Sequence, residues 1–257
     1  RMEKATLVDV APDGGQRVGL GFRIGVTIME GNNAFRANTV IGILARVNVD
    51  LNEPKRFEVD FAGVDFNEIN ISGEIGVVEI SGGLKLFNGD ATFGNGFKGY
   101  LSAKFKPTIA LSAVVQFGNV NGLEYWYVDA SAEFNPGIDL CPGLSFRGFG
   151  GGAWYNMALT APPTQANFLP ARTPSTQELS QAGTTSSGLR YTPSSGAWGF
   201  RAQVRMGPSG GGDAYKLKIA LGADFSSNGG IARMYLDGEL IVMANDAVRN
   251  PPVKGTV

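Results

Sequence analysis

Apolar and polar residues alternate along most of this chain, and a period of two marks strands with one apolar face. Val18, Leu20, Phe22, Ile24, Val26 and Ile28 share one parity, while Arg17, Gly19, Gly21, Arg23, Gly25 and Thr27 share the other. Shorter stripes follow at Ile41, Ile43, Ala45, Val47 and Val49, at Phe57, Val59 and Phe61, and at Ile69, Ile71, Ile75 and Val77. The longest runs from Leu101 through Ala103, Phe105, Pro107, Ile109, Leu111, Ala113 and Val115 to Phe117, with Ser102, Lys104, Lys106, Thr108, Ser112 and Gln116 opposite. At roughly 3.3 Å per residue that stripe would reach about 60 Å, so it predicts one long bent strand or two that break at Pro107.

Gly118-Asn119-Val120-Asn121-Gly122 supplies turn residues that tolerate positive φ, and Trp126, Val128, Ala130, Ala132 and Phe134 restart the alternation as a hairpin partner. Asn135-Pro136-Gly137 is expected to end it, and Ile138 to Phe149 reads as another strand leading into Gly150-Gly151-Gly152, a bulge, a bend or a close backbone approach. From Ala158 to Pro193 the texture turns to Pro, Thr, Ser, Gln and Ala, and only Thr176 to Gln181 looks helical. Strands resume at Trp198, Phe200, Ala202, Val204 and Met206. The last two stripes, Tyr215 to Phe225 and Ala232 to Val242, are joined by the turn sequence Ser226-Ser227-Asn228-Gly229-Gly230.

These elements predict an all-β protein: a large antiparallel sheet assembly, sandwich-like or open-barrel, with long amphipathic strands and one long polar loop. Its parts are an antiparallel region over 1–157, a polar loop or linker over 158–193 crossing outside, and strands over 194–257 completing the same core. Such stripes demand a cover, since each large apolar side chain buried contributes roughly 1.5 to 3 kcal/mol. The cover is a second sheet, a partner or lipid.

Composition narrows the chemistry. The chain has no histidine, so Ser-His-Asp triads, His-based zinc sites and imidazole bases are excluded. No catalytic, cofactor or metal site is assigned. Glu58 with Asp60, and Asp65 with Glu68, could serve a carboxylate pair or a calcium ion, but solvated strand faces are the first reading. The single cysteine, Cys141, can form no internal disulfide, and Leu140-Cys141-Pro142-Gly143 suggests a buried or half-buried side chain. Lys and Arg (22) balance Asp and Glu (23), which speaks against a nucleic-acid partner. Tyr125, Trp126, Tyr127, Trp154 and Tyr155 form the candidate recognition surface, although consecutive aromatics on a strand split between its faces and core packing competes. No apolar run approaches the ~18 residues of a membrane helix. The ends, Arg1 and Asn250 to Val257, read as those of a piece of a longer chain or assembly.

At Phe97-Lys98-Gly99-Tyr100, Phe117-Gly118, Tyr125-Trp126-Tyr127-Val128-Asp129 and Gly148-Phe149-Gly150-Gly151-Gly152-Ala153-Trp154-Tyr155 the chain resembles very large, β-rich, mostly uncharacterised exported and surface proteins of Bacteroidota-type bacteria. The resemblance covers residues 60 to 245. It implies export, an extracellular or cell-surface location and a large parent chain, and it transfers no catalytic residue. The first functional expectation is thus a non-catalytic structural or adhesive module with a protein or glycan partner. The second is an outer-membrane β-barrel or a lipid-holding groove, and the third a carbohydrate-binding module. Uneven strand lengths, the polar segment and the lack of regular ten-residue spacing count against the barrel.

Overall fold

The computed structural model describes residues 2–9, 17–27, 35–49, 57–160, 176–211, 214–226, 229–242 and 253–256. Thirteen strands are found among them: β1 (Met2–Asp9), β2 (Arg17–Thr27), β3 (Phe35–Val49), β4 (Phe57–Ile75), β5 (Val78–Asp90), β6 (Gly94–Phe105), β7 (Ile109–Val120), β8 (Leu123–Cys141), β9 (Leu144–Leu159), β10 (Tyr191–Gly207), β11 (Tyr215–Phe225), β12 (Ile231–Val242) and β13 (Val253–Thr256). Each pairs antiparallel with its successor, so sheet order equals chain order. The all-β antiparallel expectation holds, as one continuous up-and-down sheet. Among the described residues β1 and β13 do not pair, and the sheet is not closed.

Turn chemistry explains the simple topology. The long stripe breaks at Lys106-Pro107-Thr108, where the Thr108 amide donates to the Phe105 carbonyl at 2.8 Å. Asn121 and Gly122 both take positive φ, 52° and 83°, as a two-residue hairpin turn requires. Two expectations need correction. Asn135-Pro136-Gly137 does not end a strand: β8 absorbs it as a register shift between Glu133 and Ile138 and runs on to Cys141. Residues 138–149 are therefore two paired strand segments joined at Pro142-Gly143. Cys141, at that hairpin tip, is exposed rather than buried.

The polar segment also departs from its expected outside crossing. After the single helical turn α1 (Thr176–Leu179), residues 179–191 fold back onto one face of the sheet, where Leu179, Gly183, Thr184, Thr185, Ser186, Ser187, Leu189 and Tyr191 are buried. We call this segment the strap and the face it covers the inner face. Residues 161–175 lie outside the described residues.

The sheet bends around the strap for a reason legible in β9. Its inner-face positions Gly148, Gly150 and Gly152 carry no side chains. β8 and β10 lie on either side of β9, yet some of their Cα atoms come within 8 Å of each other, closer than the roughly 9.6 Å of two flat strand spacings. Elsewhere on the inner face five glycines are covered by an aromatic from the directly opposite residue. Tyr125 lies over Gly118, Trp154 over Gly199, Tyr235 over Gly222, Tyr100 over Gly83 and Phe87 over Gly96.

The Gly118 pair is testable. A Cβ there would stand 2.2 Å from the Tyr125 hydroxyl, which is fixed by a 2.7 Å bond to the Phe93 carbonyl. Gly118→Ala is expected to destabilise by about 1–3 kcal/mol through overpacking, and the penalty should vanish in a Tyr125→Ala background. A double-mutant cycle in urea unfolding measures it; equal penalties in both backgrounds would exclude the contact as the cause.

Candidate functional site: a polar interior under an apolar outer face

The strap is held by charged and polar side chains from successive strands. On β6, Lys98 donates through Nζ to the carbonyls of Gln181 and of Thr184, the latter at 2.6 Å. On β7, the Gln116 carboxamide oxygen accepts from the Gly183 amide at 2.8 Å and from the Tyr127 hydroxyl at 3.1 Å. Tyr127 on β8 also approaches the Thr184 carbonyl at 2.9 Å. Asp129, two residues along, accepts from the Ser187 amide at 2.9 Å, the Ser187 hydroxyl at 3.0 Å and the Ser186 hydroxyl.

Across β9, Arg201 on β10 donates to Asp129 Oδ2 at 2.5 Å, to Gln203 Oε1 at 3.1 Å and to the Ser187 hydroxyl. The two partners meet because Gly152 lies between them: a Cβ there would stand 2.7 Å from Asp129 Oδ2. Both side chains are all but fully buried, at 1% and 2% exposure. Asp129 and Arg201 thus close a charge-paired, hydrogen-bonded core beneath the strap. Toward the opposite sheet end, Arg205 pairs with Glu133, and Arg147 donates to the Pro208 carbonyl at 2.7 Å. In the β6–β7 turn, hydrogen bonds to Glu79 and then Glu74 hold the Lys106 ammonium above the ordinary lysine range.

The outer face has the opposite character. Its positions are Val78 to Leu86 on β5, Phe97 to Phe105 on β6, Ile109 to Phe117 on β7, Trp126 to Phe134 on β8, Phe146 to Tyr155 on β9, Trp198 to Met206 on β10, Leu217 to Phe225 on β11 and Met234 to Val242 on β12. Each window spans about nine residues, and none of its outward positions holds Asp, Glu, Lys or Arg. Large side chains stand open here: Leu101 is 45% exposed, Leu221 50% and Leu236 64%. Eight strands at ~4.8 Å spacing and nine residues at ~3.3 Å make a band on the order of 900 Å², above the ~300–600 Å² of the largest apolar patch on a typical soluble monomer.

The band has a level edge. Phe97, Phe117, Trp126, Tyr155, Trp198 and Phe225 are directly opposite one another across six consecutive strands. Phe97 and Phe117 rings lie 5.3 Å apart, Trp126 and Tyr155 6.5 Å, and Trp198 and Phe225 4.0 Å. Two residues further toward the strap end, Asn95, Asn119 and Glu124 form an aligned polar row.

The five aromatics singled out in the sequence divide between these faces. Tyr125, Tyr127 and Trp154 are buried inside, and Trp126 and Tyr155 stand in the outer aromatic row. Of the acidic candidates, Glu68 sits on β4 facing Lys85 across the pair with β5, whereas the side chains of Glu58, Asp60 and Asp65 lie outside the described residues. Among the described residues no group of three or more side chains is placed to hold a metal ion. Sequence reasoning passed over Lys98, Asp129 and Arg201. Their signal was a charge at the parity opposite an apolar stripe, which reads equally as a solvated position.

Fold and faces define the class: an antiparallel meander whose inner face carries both an aromatic core and buried charged and polar groups, and whose outer band is apolar. No family model, curated protein or solved structure matches this chain.

Proposed function

We propose that this chain is the wall of a transmembrane β-sheet protein of barrel type in a bacterial outer membrane, with its outer band against lipid and its interior occupied by the strap. Its role is structural and non-catalytic. The observation that carries this is the uncharged nine-residue window repeated on eight strands and edged on six of them by an aligned aromatic row. A membrane strand needs ~9–11 tilted residues, and aromatic girdles mark the lipid–water boundary. Lipid-facing positions are apolar and interior ones carry the polar and charged groups in such proteins, and here the charged side chains of these strands within the window fall on the inner parity, beside an aromatic core. The objections drawn from the sequence lose their force. Strand lengths are uneven because strands overrun the common window, and the polar segment folds inward.

A lipid-holding groove is less well supported, because the face that bends around the strap is the charged one. An adhesive module for protein or glycan leaves an apolar band of this area without a cover. The resemblance to exported bacterial proteins agrees with an outer-membrane address.

The test is detergent dependence and flotation. The chain is expected to need detergent for solubility and, after refolding with phospholipid vesicles, to float with them through a density gradient. A monodisperse, lipid-free species in native mass spectra of chain purified without detergent would defeat the proposal.

A further inference from the structure

The aromatic row is interrupted by a surface depression of about 420 Å³, flanked by the ring pairs Phe97–Phe117 and Trp126–Tyr155. Its volume falls within the ~300–1,000 Å³ of small-ligand sites. Gly96 and Gly118 bring backbone to its surface, and the polar row of Asn95, Asn119 and Glu124 rims it on the strap side. We propose that this depression binds the headgroup of a zwitterionic amino-phospholipid, phosphatidylethanolamine being the simplest, an inference that rests on the membrane reading above.

Charge and donor complementarity support that occupant. Glu124 is exposed and supplies the carboxylate of the site, the partner an ammonium requires. The rings add faces that attract cations. The Asn95 side-chain oxygen accepts from the Gly89 amide at 2.7 Å and that of Asn119 from the Gly122 amide at 3.0 Å, which orients each carboxamide and leaves its NH₂ group to donate to a ligand. Two NH₂ donors suit phosphate oxygens, and their alignment with Glu124 sets anion and cation subsites side by side. The site lies one strand repeat beyond the aromatic edge, the level at which a headgroup leaves the hydrocarbon. Acyl chains leaving it would run down the apolar band.

The experiment uses the full chain in nanodiscs containing equal amounts of phosphatidylethanolamine and phosphatidylglycerol with matched acyl chains, followed by native mass spectrometry after gentle release. Phosphatidylethanolamine is expected to be retained about five- to tenfold over phosphatidylglycerol, the ratio falling to about one in Glu124→Gln and in Trp126→Ala. Glu124→Gln should keep the wild-type melting temperature, since the Glu124 side chain is exposed and its change leaves the Trp126–Tyr155 stack in place. Equal retention by the wild type, or a preference unchanged in both variants, overturns the site while leaving the membrane reading intact. A chain that fails to float with any vesicle defeats the membrane reading, and the site with it.

Discussion

Replacing Asp129 with Ala is expected to destabilise the protein by about 3–5 kcal/mol and to release the strap. The substitution removes four interactions at once, from the Ser186 hydroxyl, the Ser187 amide and hydroxyl, and Arg201. It also strands a guanidinium that is 1% exposed, and a buried charge without its counter-ion costs more than the pair contributed. Asp129→Asn should cost less, because a carboxamide oxygen still accepts from Ser187. Arg201→Met combined with Asp129→Leu should recover much of the loss, since an apolar pair of similar volume carries no desolvation penalty. Chemical denaturation of the detergent-folded protein gives the stability, and amide hydrogen exchange at residues 183–187 gives the strap. If the exchange rates of those amides stay at the wild-type level in Asp129→Ala, the pair does not hold the strap.

The same network shows why the interior was hard to read in the sequence. Alternation identified the strands because a period of two is a local property, and the hairpin turns at Asn121-Gly122 and Ser226–Gly230 were readable from positive-φ residues. The partner of an inward side chain is a long-range property. Asp129 and Arg201 are 72 positions apart, and they meet only because β9 presents a glycine between them. The glycine run reads as a bulge, a bend or a close backbone approach, and nothing local says which, or what approaches it. The strap misled for a related reason: its Ser and Thr residues look like those of a solvated linker, whereas here their hydroxyls and backbone groups satisfy Asp129, Lys98 and Gln116.

The outer face posed a different difficulty. Parity revealed apolar stripes but not their common level, because that level depends on register between strands. Phe97, Phe117, Trp126, Tyr155, Trp198 and Phe225 have no fixed sequence spacing, since the connections between their strands range from the two residues of Asn121-Gly122 to the whole polar segment. The common level is therefore absent from the spacing along the chain and present in the register of the sheet. Pro136 misled in the same way, because β8 absorbs it at the edge of the window as a register shift, which sets Phe146 opposite Ile138.

Arginine substitutions along this outer face distinguish lipid from water as its environment. Leu101, Ala113, Ala130, Gly151, Ala202, Leu221 and Leu236 are aligned across the middle of the band, four residues from the aromatic edge on most strands. At the midplane of a bilayer an arginine costs about 2–4 kcal/mol, and near the interface about 0–1 kcal/mol. Leu221→Arg is therefore expected to destabilise the lipid-folded protein by about 2–4 kcal/mol and Phe225→Arg, on the same strand at the edge, by clearly less. In water the order has no such basis: Leu221 is already 50% exposed, and a change at an open surface position is usually within about 0.5 kcal/mol. A gradient repeated on a second strand, with Leu101→Arg worse than Phe97→Arg, ties the effect to depth rather than to one residue's packing. Flat, small penalties along both strands in urea titrations of vesicle-folded protein would mean that the band faces water or a polar partner, and the membrane assignment would have to be withdrawn.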